Sequence, residues 1–192
     1  MSKLPLILLC CLMAMAVWSD LRTRRIPNRL VFGGALLGLL LNTLYPAGAG
    51  LLVGEPFGGI GLPWALAGLA MGLGLLLPMY MLRALGAGDV KMMAMVGAFV
   101  GPGPVGACVL LTFLAGGVLA VAVALATGKL RATLHNTWHM STHTMLRSMH
   151  GDIGPIDAPA APSGRLPYAV AIAAGTLSYL AHAALTGNPL LS

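Results

Sequence analysis

The sequence predicts an all-α, polytopic membrane protein with about six transmembrane helices. Of its 192 residues 58% are apolar and only 8% are charged, and the mean hydropathy of +0.88 lies far outside the range of soluble domains. Apolar runs alternate with short polar segments, and each crossing helix needs roughly 20 apolar residues. The length therefore leaves no room for a separate soluble domain. We treat residues 1–192 as one membrane-embedded domain with a polar segment at 128–165.

Proline and glycine mark the ends of the predicted helices. Helix one is expected to be retained rather than cleaved as a signal peptide. Arginines follow it, and the sequence there lacks a small-residue cleavage site. Pro27 is placed in the first turn of helix two, and Pro78 predicts a kink in helix three. Helix four is short and ends at the glycine and proline break of residues 101–104. The helices are predicted at about residues 4–19, 30–45, 62–82, 90–100, 105–127 and 166–185.

Small residues within the apolar runs predict tight helix packing rather than a wide pore. They recur at 34–38, 71–74 and 115–117, where neighbouring backbones can approach closely. Three cysteines also lie inside apolar runs, without the spacing of a zinc site or a disulfide framework. We expect these three, Cys10, Cys11 and Cys108, to be packing residues.

The basic side chains predict the orientation in the membrane. Ten of the eleven lysines and arginines lie in the first, third and fifth loops. Loops rich in basic residues stay in the cytoplasm, so both termini are predicted outside a cell inner membrane that the chain crosses several times. The net charge of +6 comes from these short loops, which predicts contact with the lipid bilayer and not with nucleic acid.

Two of the few acidic residues end apolar segments, where a carboxylate is costly to place. Asp20 follows the first apolar run, and Asp89 stands behind two glycines in Gly86-Ala87-Gly88-Asp89. Desolvating a carboxylate costs several kcal/mol, so an acid at a membrane boundary indicates a functional site. The predicted topology places both aspartates at the cytoplasmic face.

Two carboxylates held close together can hydrolyse a peptide bond. They do not both ionise easily, so one keeps a proton while the other is charged. The charged carboxylate draws a proton from water, and the protonated one polarises the scissile carbonyl. We interpret Gly86 and Gly88 as giving backbone freedom and room for an extended substrate strand. This chemistry predicts an aspartic-type endopeptidase that needs no cofactor and no metal.

Three motifs, in order along nearly the whole chain, resemble those of a known family. They are Asp20 with Ile26-Pro27-Asn28, then Gly86-Ala87-Gly88-Asp89-Val90-Lys91, then Leu166-Pro167-Tyr168-Ala169-Val170-Ala171. They are similar to motifs of the type IV prepilin peptidases, membrane aspartyl proteases of the GxGD class. The short chain resembles the small members that serve Tad/Flp pili and archaeal pili.

The resemblance implies a substrate and a set of site residues. Asp20 and Asp89 are implied to be the catalytic pair, and the substrate a prepilin or prepilin-like protein whose short basic leader is cut at the cytoplasmic face, usually after glycine. Larger relatives carry a cytoplasmic cysteine-bearing domain and methylate the new N-terminus. This chain has no such loop, so we expect cleavage without methylation. The supporting or substrate-binding residues implied by the motifs are Pro27, Asn28, Gly86, Gly88, Lys91, Pro167 and Tyr168.

Simpler interpretations compete with these assignments. Asp20 could pair with an arginine of its basic loop, and Asp89 could cap the helix that it begins. The alternatives for other motif residues are an interfacial anchor for Lys91, a helix start for Asn28 and an interface aromatic for Tyr168. Two other functions stay open, a proton-coupled transporter and a non-catalytic assembly subunit of a pilus or secretion machine. A transporter typically has ionisable groups near mid-span and a two-half repeat, which this sequence lacks.

The polar segment at 128–165 carries a histidine run with metal-like spacing. His135, His139 and His143 stand at i, i+4 and i+8, which can hold a metal along one helix face. Apolar residues beside them, Trp138 among them, favour a helix lying on the membrane surface instead. The acids of this segment, Asp152 and Asp157, flank glycine and proline and are interpreted as turn residues.

Overall fold

The computed structural model describes residues 4–44, 59–128 and 167–186, and within these ranges all regular structure is helical. This confirms the predicted fold class. The helices are α1 (Leu4–Thr23), α2 (Asn28–Leu44), α3 (Leu62–Met81), α4 (Ala87–Val100), α5 (Pro102–Ala126) and α6 (Tyr168–Thr186). The predicted loop at 46–58, the histidine run and the turn acids lie outside the described residues.

The shortest described helix, α4, lies at the centre of the bundle. It contacts all five other helices, and ten of its 14 residues are buried. At about 1.5 Å per residue it is about 21 Å long, less than the roughly 30 Å hydrocarbon core. Helices α1, α3, α5 and α6 are long and apolar enough to cross a membrane, and α2, at 17 residues, is a shorter apolar helix. A short central helix is therefore enclosed by longer ones.

Glycines let the outer helices approach α4 closely. Gly68 of α3 and Gly97 of α4 face each other, so that a Cβ on either would overlap the backbone of the other. A Cβ at Gly72 would stand 2.6 Å from the Met93 carbonyl oxygen, and one at Gly38 would stand 2.7 Å from the Phe99 ring. In a membrane, where apolar burial alone gives helices little reason to associate, such close packing supplies much of the attraction. The predicted tight packing is confirmed at these positions.

The end of α1 differs from the prediction. The helix continues to Thr23 rather than ending at Ser19, so Asp20 lies inside it and not in a basic loop. It ends where Arg24 adopts a left-handed conformation (φ 54°) and donates its N–H to the Asp20 carbonyl oxygen at 2.9 Å. Ser19 and Thr23 donate their hydroxyl groups to the Arg25 carbonyl oxygen. These bonds fold the following loop back over the last turn of α1.

The break after α4 is also shorter than predicted. α4 begins at Ala87 rather than Val90, and α5 begins at Pro102 rather than Val105. One residue, Gly101 with φ of +84°, separates the two helices. The prolines do not break α5, because residues in a first helical turn have no intrahelical partner for their N–H.

A buried amide that the sequence analysis missed closes the far end of α4. The side chain of Asn42, only 3% exposed, donates to the carbonyl oxygens of Ala98 at 2.8 Å and Phe99 at 3.1 Å. The last carbonyl groups of a helix have no intrahelical donor, and leaving them unsatisfied in a dry interior costs about 1–3 kcal/mol each. Asn42 therefore allows α4 to end inside the bundle.

Candidate active site

The predicted motifs converge at one end of the bundle, where the N-termini of α2, α4 and α6 meet the last turns of α1. A pocket of about 410 Å³ opens there. Its lining consists of Asp20, Arg24, Arg25, Ile26, Pro27, Asn28, Gly86, Ala87, Gly88, Asp89 and Lys91. The first two motifs thus form one pocket with both aspartates in its wall, and the third motif begins α6 beside it.

Asp20 is buried at the junction of α1 and α6. Asp20 is 9% exposed, and its Oδ2 accepts a hydrogen bond from the N–H of Ala169 at 3.4 Å. Ala169 is the second residue of α6, where backbone N–H groups lack an intrahelical acceptor. The sequence analysis did not assign Ala169, although Pro167 two residues earlier signals a helix start.

Asp89 both caps the N-terminus of α4 and lines the pocket. It lies in the first turn of α4, outside the four candidate spans, and its Oδ2 accepts the N–H of Gly86 at 3.1 Å. Burial raises the pKa of Asp89 from its ordinary 3.8 to about 6; the bond from Gly86 lowers the pKa, and the negative charge of Asp20 raises it. The two aspartates are therefore close enough to interact electrostatically.

The structure contradicts one role expected for the motif glycines, backbone freedom at Gly86. Gly86 has φ of −79° and ψ of 150°, which any residue adopts, so it is not required for backbone freedom. A Cβ at Gly86 would stand 3.1 Å from the Asp89 carboxyl, and one at Gly88 would stand 3.2 Å from the Ile26 side chain. Both glycines keep side chains away from the aspartate and let the loop after α1 pack on α4.

Lys91 joins two of the converging helices. Its ammonium group donates to Asn28 Oδ1 at 2.9 Å and lies 5.2 Å from the centroid of the Phe32 ring. Asn28 is the first residue of α2, as one interpretation expected, and it also holds the lysine. The pair fixes the first turn of α4 against the first turn of α2, which places the Pro27 loop over the pocket.

The third motif contributes the start of α6. The Pro167 carbonyl oxygen accepts the N–H of Val170 at 3.1 Å, which forms the first turn. The ring of Tyr168 packs on α5, where a Cβ at Gly116 would stand 3.0 Å from it. Tyr168 also interacts electrostatically with Asp89. The residue is therefore a packing aromatic close to the pocket.

No cluster of three or more histidine, cysteine or acidic side chains suited to hold a metal ion occurs within residues 4–44, 59–128 and 167–186. The cysteines are dispersed over α1 and α5, and Cys108 is fully buried. In the described part of the chain, the ionisable groups that face each other at the pocket are the two aspartates and their basic neighbours.

These features define a helical membrane protein with two carboxyl groups in a pocket at one end of its bundle. The sequence profile of the type IV leader peptidase family matches residues 7–123, and the chain belongs to that family. The match covers α1 to α4 and most of α5, including both aspartates. No curated relative and no solved structure gives a significant match. Family membership confirms the resemblance predicted from the first two motifs and identifies the chain as a membrane peptidase of the kind that acts on prepilins. The third motif, at 166–171, lies outside the matched residues.

Proposed function

We propose that the protein is an aspartyl endopeptidase that cleaves the leader of a type IV, Flp-like prepilin at the cytoplasmic face of the inner membrane. The observation that carries the proposal is that Asp20 and Asp89 line one pocket. The two residues come from different helices, α1 and α4. A capping role accounts for the position of Asp89 but not for a second, buried acid beside it.

The proposed reaction uses one water and both carboxyl groups. The ionised carboxylate takes a proton from water, and the resulting nucleophile attacks the scissile carbonyl carbon while the protonated carboxyl donates to its oxygen. The carboxyl that received the proton then supplies it to the leaving amine, and the carboxyl that donated its proton takes one back from the hydroxyl group of the intermediate as the carbonyl re-forms, which closes the cycle. The raised pKa of Asp89, about 6, supports the presence of a protonated partner near neutral pH.

The pocket also supports binding of an extended peptide. Ile26 packs on Gly88, and Pro27 and the exposed Gly86 backbone line the pocket beside this contact. A peptide main chain can approach a glycine backbone closely. We propose that the residues on both sides of the scissile bond lie along the Gly86 backbone, next to Pro27.

Cleavage of a co-expressed Flp-like prepilin by wild type and by aspartate variants tests the proposal. Asp20→Asn and Asp89→Asn should each lower cleavage by at least about a hundredfold, and the double variant should be little worse, because the pair acts as a unit. Asp→Glu should also be severely impaired, since a displacement of about 1 Å can cost about a hundredfold.

Matched controls are Asp152→Asn and Asp157→Asn, which remove a carboxylate from the polar segment and should cut normally. Cleavage retained by either pocket variant, with its membrane expression verified, would exclude the two-aspartate mechanism. A transporter or an assembly subunit would then have to account for the pocket acids.

A further inference from the structure

We propose that the N-terminus of α6 is a third component of the active site, in which the Ala169 N–H holds the Asp20 carboxylate as the ionised, water-activating partner of Asp89. The inference rests on the proposed function and deepens it. It assigns the two aspartates different starting roles and makes Ala169 a positioning residue.

The geometry gives the Ala169 N–H one acceptor from a remote part of the chain. Ala169 is fully buried, and its N–H points to Asp20 Oδ2 at 3.4 Å. An N–H in a first helical turn is satisfied by a side chain, by water or by a ligand. Here a carboxyl group that is itself nine-tenths buried takes that place. The bond holds one oxygen of Asp20, whose residue also lines the pocket.

The electrostatics favour charge on Asp20. The first turn of a 19-residue helix carries partial positive charge, which stabilises an anion placed against it. Hydrogen bonds to an ionised acceptor are roughly twice as strong as neutral ones. The charged groups that line the pocket with Asp20 are Arg24, Arg25, Asp89 and Lys91, and Tyr168 of α6 interacts electrostatically with Asp89.

Asp89 fits the complementary role. Burial raises the pKa of Asp89 to about 6 even though Gly86 donates to it, so Asp89 holds a proton in part of the molecules near pH 6. Lys91, two residues further, donates to Asn28. In the starting state Asp20 then accepts the proton of water, and Asp89 donates to the carbonyl oxygen of the substrate. No further reactant is needed for this step.

A proline substitution removes the proposed donor without removing a side chain from the pocket. Ala169→Pro eliminates the N–H in a first helical turn, where proline is tolerated. Val170→Pro is the comparison variant. It leaves the Ala169 N–H intact but removes the N–H that closes the first turn of α6 on Pro167, so it reports the cost of disturbing that turn. The readouts are kcat and KM for a prepilin peptide from pH 5 to pH 8.

Ala169→Pro should lower kcat at least tenfold at pH 6.5 with KM changed by less than about threefold. Its acid limb, where activity is lost as pH falls, should move up by about one pH unit, because a bond to a charged group favours the ionised form. Val170→Pro should keep the wild-type pH profile. Equal losses at every pH in both variants, or an unshifted limb in Ala169→Pro, would overturn the inference.

A measurement on the wild type decides the matter if Ala169→Pro does not fold. Carbodiimides react with protonated carboxyl groups, so labelling from pH 4 to pH 8 followed by peptide mass spectrometry follows the loss of the proton from each aspartate, whatever its accessibility. The labelling of Asp20 should fall off at a lower pH than that of Asp89, and the reverse order would overturn the inference. The proposed function fails separately, if Asp20→Asn still cuts. An inert Asp20→Asn beside an unchanged Ala169→Pro would reject the inference alone.

Discussion

At the residue scale, Asp89 illustrates how a carboxyl group that we propose to be catalytic is kept at a cost in stability. It is partly buried, and its bond from Gly86 offsets only part of the desolvation. Ionising a carboxyl group in this partly buried position costs more free energy than ionising it in water, whereas an amide carries no charge and does not incur this cost. Active sites commonly retain such groups because activity requires them.

This cost predicts that Asp89→Asn stabilises the protein at neutral pH. The native pKa of about 6 exceeds the ordinary 3.8, so the native state binds the proton more tightly than the unfolded chain. Wild-type stability should therefore fall as pH rises from about 4 to about 6 and stay level above it. Because Asp89 is partly exposed, the gain at pH 7.5 should be about 1–2 kcal/mol, less than the full shift implies.

Thermal unfolding in detergent at pH 4 and pH 7.5 measures this effect. The variant should unfold at a higher temperature than wild type at pH 7.5. Most of this difference should disappear at pH 4, where the wild-type carboxyl is protonated in the native state and partly protonated in the unfolded chain. A variant less stable than wild type at pH 7.5 would contradict the prediction.

At the element scale, α4 explains why several helices carry glycine. A helix enclosed by five others needs neighbours whose backbones approach closely, and its own end must be satisfied inside the bundle. Glycines of α2 and α3 allow the close approach, and the Asn42 side chain satisfies carbonyl groups at the end of α4. Since α4 also carries Asp89, this packing sets the position of the proposed active site.

Replacing Gly97 by alanine should destabilise the bundle by about 1–3 kcal/mol. The new methyl group would lie 2.7 Å from the backbone carbonyl carbon of Gly68, and no side-chain rotation relieves an overlap between two helix backbones. The matched control is Gly74→Ala in α3, whose Cβ would meet nothing within 4 Å. It should be neutral, or stabilise the helix by up to about 1 kcal/mol.

Unfolding temperatures of the two variants, at equal detergent and protein concentration, provide the comparison. Because Gly97→Ala would displace α4, it should also lower prepilin cleavage while Gly74→Ala leaves it unchanged. Equal stability of the two variants would show that the contact of α3 with α4 is looser than described.

At the scale of the whole molecule, the arrangement of basic residues predicts the side of the membrane on which the pocket opens. Arg24, Arg25 and Lys91 line the pocket, and Arg83 lies between α3 and α4 at the same end of the bundle. Basic loops remain in the cytoplasm. The leader of the prepilin is therefore expected to reach the pocket from the cytoplasmic side.

Cysteine labelling in intact spheroplasts tests this orientation. In a variant without Cys10, Cys11 and Cys108, a membrane-impermeant maleimide should label Glu55→Cys and should reach Arg25→Cys only after the membrane is opened. For each of the two variants, one control sample is first blocked with a membrane-permeant thiol reagent, and the maleimide labelling that remains defines the background. The opposite pattern would reverse the topology and place the pocket outside the cell.

The sequence by itself determined that the chain is helical and membrane-embedded. In a bilayer all backbone polar groups must be satisfied within the segment, so a long apolar run has few alternatives to a helix. The acid-poor composition also isolated Asp20 and Asp89 as unusual. Helix ends were less well predicted, because the polar residues after Ser19 occur equally in a loop and in the exposed last turn of a helix.

Only the tertiary structure decided which groups surround the two aspartates. Hydropathy is a local property, and it does not determine which helices become neighbours; that follows from the fit of glycine and side-chain surfaces across them. The bond from Ala169 to Asp20 joins residues 149 positions apart, and the bond from Lys91 to Asn28 joins residues 63 apart. These long-range contacts, rather than the motifs alone, give each carboxyl group its environment.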